Sequence, residues 1–458
     1  MSLSTRCAKR IGILFCVALL LTFSFSPKQA FAVASFSRMY KMSCLACHTN
    51  TPRINYFGEK LLARGYEMDR MTQADQPAGH VKTEASCTSC HNSGKPSDAV
   101  GGEKFSPNLF LDKVSNYLSL RLKFTPLKLT TNAMTQEGKK ETKITVGNSN
   151  WIQFWVAGPI AKNIALRAEA ELSNGGSVGL HNYAVAFSNI IPDGLLNLRV
   201  GGFTHGEWLS VSDQKRFFAP HFNIYNVKSA AGKGEDTFKV AGAEPAIEAY
   251  GYAGPVVYQL GVSSGKKAGD VNKYKNYWGT AKYNLFTSGK LAGTNISASY
   301  VTGVDTTEHA TIKYKVTTID GENIEIPKTI TIPIQKDNFH RYIVSAILRY
   351  APLEIMGSYV VGRDGNWDLS TTGIDNEFKG GFVQTILSVT KKLDLGAIYQ
   401  NTTSDDPSIK YNHCLVGGNY YMRENMMIST YYDFDLLGES KTHPDKQSTL
   451  AVNFRAMF

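Results

Sequence analysis

From residue 114 onward the chain repeats one pattern: about ten residues of alternating apolar and polar side chains, then a cluster of turn residues. In 341–350, Tyr342, Val344, Ala346, Leu348 and Tyr350 fall on one face, with an aromatic at each end, and Arg341, Ser345 and Arg349 fall on the other. In 164–172, Ile164, Leu166, Ala168, Ala170 and Leu172 alternate with Ala165, Arg167, Glu169 and Glu171. The last stretch sets Leu450, Val452, Phe454, Ala456 and the terminal Phe458 against Thr449, Asn453 and Arg455. A period of two is a strand period. It fits a soluble sandwich, with one face on a core, or an outer-membrane barrel, with one face on lipid and the other on a wet lumen.

Connection lengths decide between the two. Strands are predicted at 114–124, 150–158, 163–172, 180–188, 196–204, 244–252, 256–264, 275–286, 291–303, 338–350, 353–363, 377–390, 393–401, 411–422, 426–436 and 447–458. Short gaps such as Ala253-Gly254-Pro255, Ala351-Pro352 and Lys391-Lys392 alternate with mostly long ones: 125–149, 205–243, 304–337, 364–376 and 437–446. That rhythm makes one rim of tight turns and one of loops, as in bacterial outer-membrane barrels with periplasmic turns and outside loops. The expectation is all-β: a transmembrane antiparallel β-barrel of about sixteen strands over 109–458, both ends of the chain on the turn side.

Residues 1–32 read as a secretory signal peptide. Arg6, Lys9 and Arg10 precede the apolar run 11–25, and Ala30-Phe31-Ala32 is a small-x-small cleavage site. The run is short for a membrane-spanning anchor, and no second long apolar run follows. The formal charge of +10 includes Arg6, Lys9, Arg10 and Lys28 of the signal, so the mature chain is only mildly basic. With no Lys/Arg cluster, a nucleic-acid partner is not expected. Of seven cysteines, Cys7 and Cys16 leave with the signal and Cys414 stands alone in a strand as a packed thiol, so there is no disulfide framework.

The other four lie in 33–108, a small segment unlike the rest. Cys44, Cys47 and His48 form C-x-x-C-H, and Cys87, Cys90 and His91 repeat it. Two thiols at this spacing can add to the vinyl groups of a haem, leaving the imidazole against the iron. Zinc held by two Cys pairs is the competing reading. The separation of the pairs is long for zinc, and zinc does not account for a His after both. Two c-type haems are therefore expected. They would also supply apolar volume to a segment too short for a core of its own. His80 is a candidate sixth ligand, with Met39, Met42, Met68 and Met71 as candidates for the other iron, and one iron could remain open. Export agrees with haem attachment, which takes place outside the cytoplasmic membrane.

Two loops stand out. Residues 205–243 carry His205, His221 and Phe217-Phe218, and a third long loop of this kind could fold inward and narrow the pore. Residues 304–337 hold two alternating runs about Asp320-Gly321, read as a hairpin projecting outside the cell. His181, His309, His340, His413 and His443 are scattered and read as solvated or lumen residues.

The stretch Phe36-Ser37-Arg38-Met39-Tyr40-Lys41-Met42-Ser43-Cys44-Leu45-Ala46-Cys47-His48-Thr49, then Pro52 to Gly58 and Gly65-Tyr66, resembles the fused outer-membrane cytochrome–porins, which include the outer-membrane cytochromes of iron-oxidising bacteria. The likeness extends loosely through the barrel to Phe458. It implies that Cys44, Cys47 and His48 are the family's haem site and that ferrous iron outside the cell is the donor. The second motif, at Cys87, Cys90 and His91, departs from the single haem usual among the iron oxidisers.

A haem segment on the periplasmic side or within a barrel lumen suits a conduit carrying electrons across the outer membrane, between an extracellular donor or acceptor and periplasmic cytochromes. The alternative is a solute-conducting porin whose haem segment is a gate or docking module. A haem peroxidase is a weaker third reading, since only His80 is on offer as acid–base group in the haem segment.

Overall fold

The structure, a computed structural model, describes residues 48–50, 53–64, 66, 117–134, 140–147, 151–173, 178–208, 215–234, 237–265, 274–307, 311–317, 323–331, 335–423, 425–436 and 448–457. They belong to one unit, Ala34–Phe458. In chain order, β1 (His48–Asn50) and β2 (Arg53–Ile54) form a two-stranded sheet that pairs His48 with Ile54. Helix α1 (Tyr56–Ala63) follows; the Asn55 side chain caps it by accepting from the Gly58 N–H at 2.9 Å.

Then come β3 (Leu118–Met134), β4 (Lys140–Val146), β5 (Trp151–Ala161), β6 (Ile164–Ser173), β7 (Val178–Ile191), β8 (Leu196–Thr204), β9 (Ala243–Ala253), β10 (Val256–Ser263), β11 (Asn276–Asn284), β12 (Asn295–Thr306), β13 (Thr311–Thr317), β14 (Asn323–Thr331), β15 (Lys336–Tyr350), β16 (Leu353–Asp364), β17 (Asn376–Thr390), β18 (Leu393–Ser404), β19 (Tyr411–Arg423), β20 (Met426–Asp435) and β21 (Ser448–Met457).

All but β1, β2, β13 and β14 close into one antiparallel barrel, sealed by pairing β21 with β3. β4 pairs with the far half of β3 and β5 with its near half, so the two share one position and the barrel has sixteen staves. Each predicted strand overlaps one stave, and the turn-rim connections are short apart from 285–294 between β11 and β12. The 304–337 segment contains the expected hairpin, with β13 pairing to β14 in a separate sheet.

The first long loop is where the structure departs from expectation. Strand β3 does not stop at residue 124 but runs on to Met134, and β4 returns beside it. Pro126 breaks the sequence pattern there. Thr125 and Pro126 face the single Asn453 of β21, because Leu127 pairs with Val452 and Phe124 with Phe454. This is a bulge, a place where a strand tolerates a proline without a ladder N–H.

The alternation sets the two faces. On β15, Tyr342, Val344, Leu348 and Tyr350 are exposed on the outside, while Phe339, Arg341, Ile343, Ser345 and Ile347 are buried on the inside. The exterior is an apolar surface with aromatic residues among its exposed side chains, as lipid contact requires. The interior is not uniformly wet. Ile343, Ile347, Met356, Val360, Phe378, Phe382, Ile386, Ile398 and Leu415 line one side of it. They are apolar because the loop between β8 and β9 folds inward and packs on them. The inward loop contributes Phe217, Phe218, Phe222, Ile224, Tyr225, Val227, Phe238 and Val240. The Phe222 and Phe382 rings stack with centroids 3.6 Å apart and planes 4° apart. Phe217 occupies the space of a missing side chain: a Cβ on Gly396 would stand 2.4 Å from its ring.

Candidate functional site

The inward loop keeps its polar groups paired as it crosses the lumen. Gln384 accepts from the Phe217 N–H at 2.7 Å and donates to the Lys215 carbonyl at 3.1 Å. Gln400 accepts from the Asn223 N–H at 2.8 Å, and the Tyr225 hydroxyl donates to Ser358 at 2.7 Å. Near the loop rim, Asp305 accepts from the Ser229 hydroxyl at 2.7 Å and Asp337 from the Ala230 N–H at 3.0 Å. Wall side chains thus replace the water that an exposed loop would use, satisfying buried backbone groups at several levels.

Helix α1 sits inside the barrel at the turn rim. Its Leu61 and Ala63 are buried, Ala63 against Tyr250 of β9. Tyr66, just beyond the helix, packs on Ala157 of β5 and Ala165 of β6. Glu59 fixes the helix. Its carboxylate takes Lys215 Nζ of the inward loop at 2.6 Å, Lys282 Nζ of β11 at 2.9 Å and Arg349 Nη2 of β15 at 3.1 Å. Arg349 also reaches Glu354 at 3.1 Å and the Ile54 carbonyl at 3.4 Å. Burial alone would raise the Glu59 pKa, but Lys215, Lys282 and Arg349 outweigh it and hold the carboxyl well below the usual carboxylate range. Glycine is required at Gly293, where φ is +83° and a Cβ would stand 2.8 Å from Tyr56 Cβ and 2.3 Å from Arg349 Nη1.

A second ionic cluster secures the start of the inward loop. Glu207 is bonded by Arg167 of β6 and Arg199 of β8, and Arg199 also donates to Glu248 at 2.8 Å. Burial opposes ionisation of Glu207, yet the two guanidinium groups bring its pKa down to about 2. Burial raises the Tyr66 hydroxyl, against the opposing pull of Arg167 and Arg199.

Of the predicted haem residues, the structure describes the backbone of His48 alone. It pairs with Ile54, whose carbonyl receives Arg349. Cys44, Cys47, Cys87, Cys90, His91 and the candidate ligand His80 lie outside the described residues, as do Met39, Met42, Met68, Met71, His309 and His443.

The described histidines do not converge. His205 is buried between Phe238 and Trp278, at ring-centroid distances of 4.8 and 5.4 Å, and burial with the Arg199 charge pushes its pKa down to about 3. His221 is exposed and bonded to Arg216 at 3.0 Å. His413 meets Asp433 at 2.7 Å, His340 meets Tyr300 at 2.7 Å, and His181 lies 4.0 Å from Glu171. Among the described residues no group of three or more His, Cys, Asp or Glu could hold a metal ion. Cys414 lies in β19 opposite the exposed Tyr399, on the outer face.

The clamp of Glu59, Lys215, Lys282 and Arg349 is not legible in advance. Arg349 falls on the lumen face of its strand by alternation, but no spacing links four residues so far apart in sequence.

No protein-family model matches the chain, and no curated protein matches it. Among solved structures it is similar to the anion-selective porin from Comamonas acidovorans, at 11% identity and a TM-score of 0.51, over 74% of this chain and 99% of that one. It is also similar to the outer-membrane expressed OmpT of Vibrio cholerae, at 13% identity and a TM-score of 0.47, over 74% of this chain and 97% of that one. The first likeness identifies the fold, that of a porin-like outer-membrane β-barrel.

Proposed function

We propose that this chain is a one-piece electron conduit of the bacterial outer membrane. It carries charge between an extracellular redox partner, foremost ferrous iron, and periplasmic c-type cytochromes. The observation that carries the reading is the clamp on Glu59. It anchors inside the barrel the stretch that directly follows Cys44, Cys47 and His48, while the inward loop packs aromatic side chains against one side of the lumen wall. A lumen narrowed in this way suits charge better than a large solute.

The donor set fits a haem at each motif. Cys44 and Cys47, then Cys87 and Cys90, would tether the haems through their thiols, and His48 and His91 would bind the iron. His80 is the candidate for a sixth position. The bound groups would supply one-electron chemistry. The protein's own part would be to hold His48, through its pairing with Ile54 and the bond from Arg349 to the Ile54 carbonyl. Location in the outer membrane is supported by the porin-like fold and the apolar exterior.

The test is electron exchange across sealed proteoliposomes holding the full mature chain. Ferrous iron added outside is expected to reduce an acceptor cytochrome enclosed within, and a chain carrying Cys44→Ala, Cys47→Ala, Cys87→Ala and Cys90→Ala is expected not to. Transfer at the background rate of empty vesicles, for every outside redox agent tried, refutes the conduit.

The porin reading has one observation in its favour, a polar and strongly basic patch on the wall at β3, β5 and β21. A large ohmic single-channel conductance decides for that reading, and a near-silent bilayer for the conduit.

A further inference from the structure

The basic patch is built from residues that the clamp and the inward core do not use. Phe124 of β3 and Phe454 of β21 stack at 6.4 Å, with Phe124 exposed on the outer face. Lys123 and Arg455, next to them in sequence, therefore point inward. They are direct cross-strand partners. Like charges in that position repel. Arg121, two residues along β3, lies on the same inner face. Its guanidinium sits 4.6 Å from the ring centroid of Trp151 and 5.7 Å from that of Trp155, both on β5. Lys123 Nζ is 5.6 Å from the Trp151 centroid. Arg216, on the inward loop, lies within electrostatic range of all three.

Acids are close but engaged elsewhere. Glu169 and Glu171 of β6 both feel Arg121. Gln153 stands between, directly opposite Arg121 on one side and Glu171 on the other. It donates to Glu169 at 2.6 Å and to Glu171 at 2.8 Å, and Asn182 donates to Glu169 at 3.0 Å. Arg121, Lys123 and Arg455 make no salt bridge among the described residues, and the buried Nε atoms of Arg121 and Arg455 have no hydrogen-bond partner. A repelling pair, a third cation and two orphaned donors on one inner face leave a deficit of negative charge and of acceptors. An oxyanion supplies both, since guanidinium forks match carboxylate and phosphate oxygens.

We propose that Arg121, Lys123 and Arg455, with Arg216 from the inward loop, form an oxyanion-binding site for a carboxylate or phosphate group on the lumen wall. Trp151 and Trp155 hold the Arg121 guanidinium in place, and Gln153 occupies oxygens of Glu169 and Glu171 that could otherwise accept from it.

The experiment is calorimetric titration of the purified full mature chain with inorganic phosphate at constant ionic strength, chloride being the exchanged anion. Saturable binding of one phosphate per chain is expected, weakened about tenfold or more by Arg121→Gln and by Arg455→Gln. Arg363→Gln, which alters an exposed ion pair elsewhere, is expected to bind as the parent chain does. Heat that chloride reproduces, or parental affinity in the Arg121→Gln/Arg455→Gln chain, overturns the site. The bound oxyanion has two possible sources, a solute entering the lumen and the propionates of a haem tethered at Cys44 and Cys47. Repeating the titration with Cys44→Ala/Cys47→Ala separates them: unchanged affinity assigns the site to a solute, and binding gained only without the haem assigns it to the propionates. No binding in either chain overturns the proposal.

Discussion

Replacing Glu59 by Gln tests whether one carboxylate holds α1 in the barrel. The substitution keeps the shape of the side chain and removes its charge. Lys215, Lys282 and Arg349 are then left facing one another with their common partner gone, and Arg349 keeps Glu354. Breaking a buried ion pair by removing one member costs ~3–5 kcal/mol, because the remaining charge stays desolvated. The barrel ladder does not depend on Glu59, so the cost falls on docking of the helix.

Amide hydrogen exchange over Tyr56–Ala63 reads that local opening directly. Rates are expected to rise by roughly two to three orders of magnitude, with the barrel strands unchanged. The pH dependence has a definite sign. The folded carboxyl ionises well below the unfolded value of about 4.3, so the folded state binds fewer protons between the two. Protection is therefore fully present above the unfolded value and is lost as pH falls through the folded one. Exchange in the Gln variant within threefold of the parent, or a parent that loses protection well above pH 5, refutes the clamp.

Phe222→Ala removes the ring stacked on Phe382 and should cost ~3–5 kcal/mol, spent on the inward loop; exchange over 215–234 and bilayer conductance are both expected to rise. Gly293→Ala forces a side chain at positive φ against Tyr56 and Arg349, and should unseat α1 by ~1–3 kcal/mol in the same exchange assay while the heat-modifiable gel shift of the barrel persists. Cys44→Ala/Cys47→Ala and Cys87→Ala/Cys90→Ala are each expected to lower the covalent haem count from about two to about one by pyridine haemochrome absorbance; a parent chain without haem refutes the cofactor assignment.

All sixteen staves were visible in the sequence because a strand exposed to lipid on one side repeats every two residues, and the turn rim has mostly short connections. The extension of β3 past residue 124 was hidden by Pro126, which reads as a break. Only the partner strand reveals the bulge that accommodates it. Inward folding of 205–243 was suggested by its length and by Phe217-Phe218. Its consequence for the wall was not, because Ile343, Ile347, Phe382 and Ile386 are apolar on the lumen face, where alternation predicts polar residues. A strand apolar on both faces reports a packed interior, and that signal is present where Ile343 and Ile347 in 341–350, and Phe378, Phe382 and Ile386 in 377–390, fall on the inner face. The ionic clamp had no such signal: Glu59, Lys215, Lys282 and Arg349 are ordinary charged residues until the barrel closes.

The same residue joins the two occupants of the lumen. Lys215 gives its side chain to Glu59 of α1 and its main-chain carbonyl to Gln384 of the wall, two positions before Phe217 enters the aromatic core. Glu207, at the start of the same loop, holds Arg167, which neighbours Tyr66 at the end of the N-terminal element. The helix and the inward loop are thus tied at two points and seat as a unit. A gate for solutes needs an element that moves while its neighbour stays. Here release of α1 takes the Glu59 carboxylate away from Lys215 of the inward loop, and release of the loop removes a cation from Glu59. Coupling of that kind favours a fixed insulating plug, which an electron conduit needs and a solute pore does not.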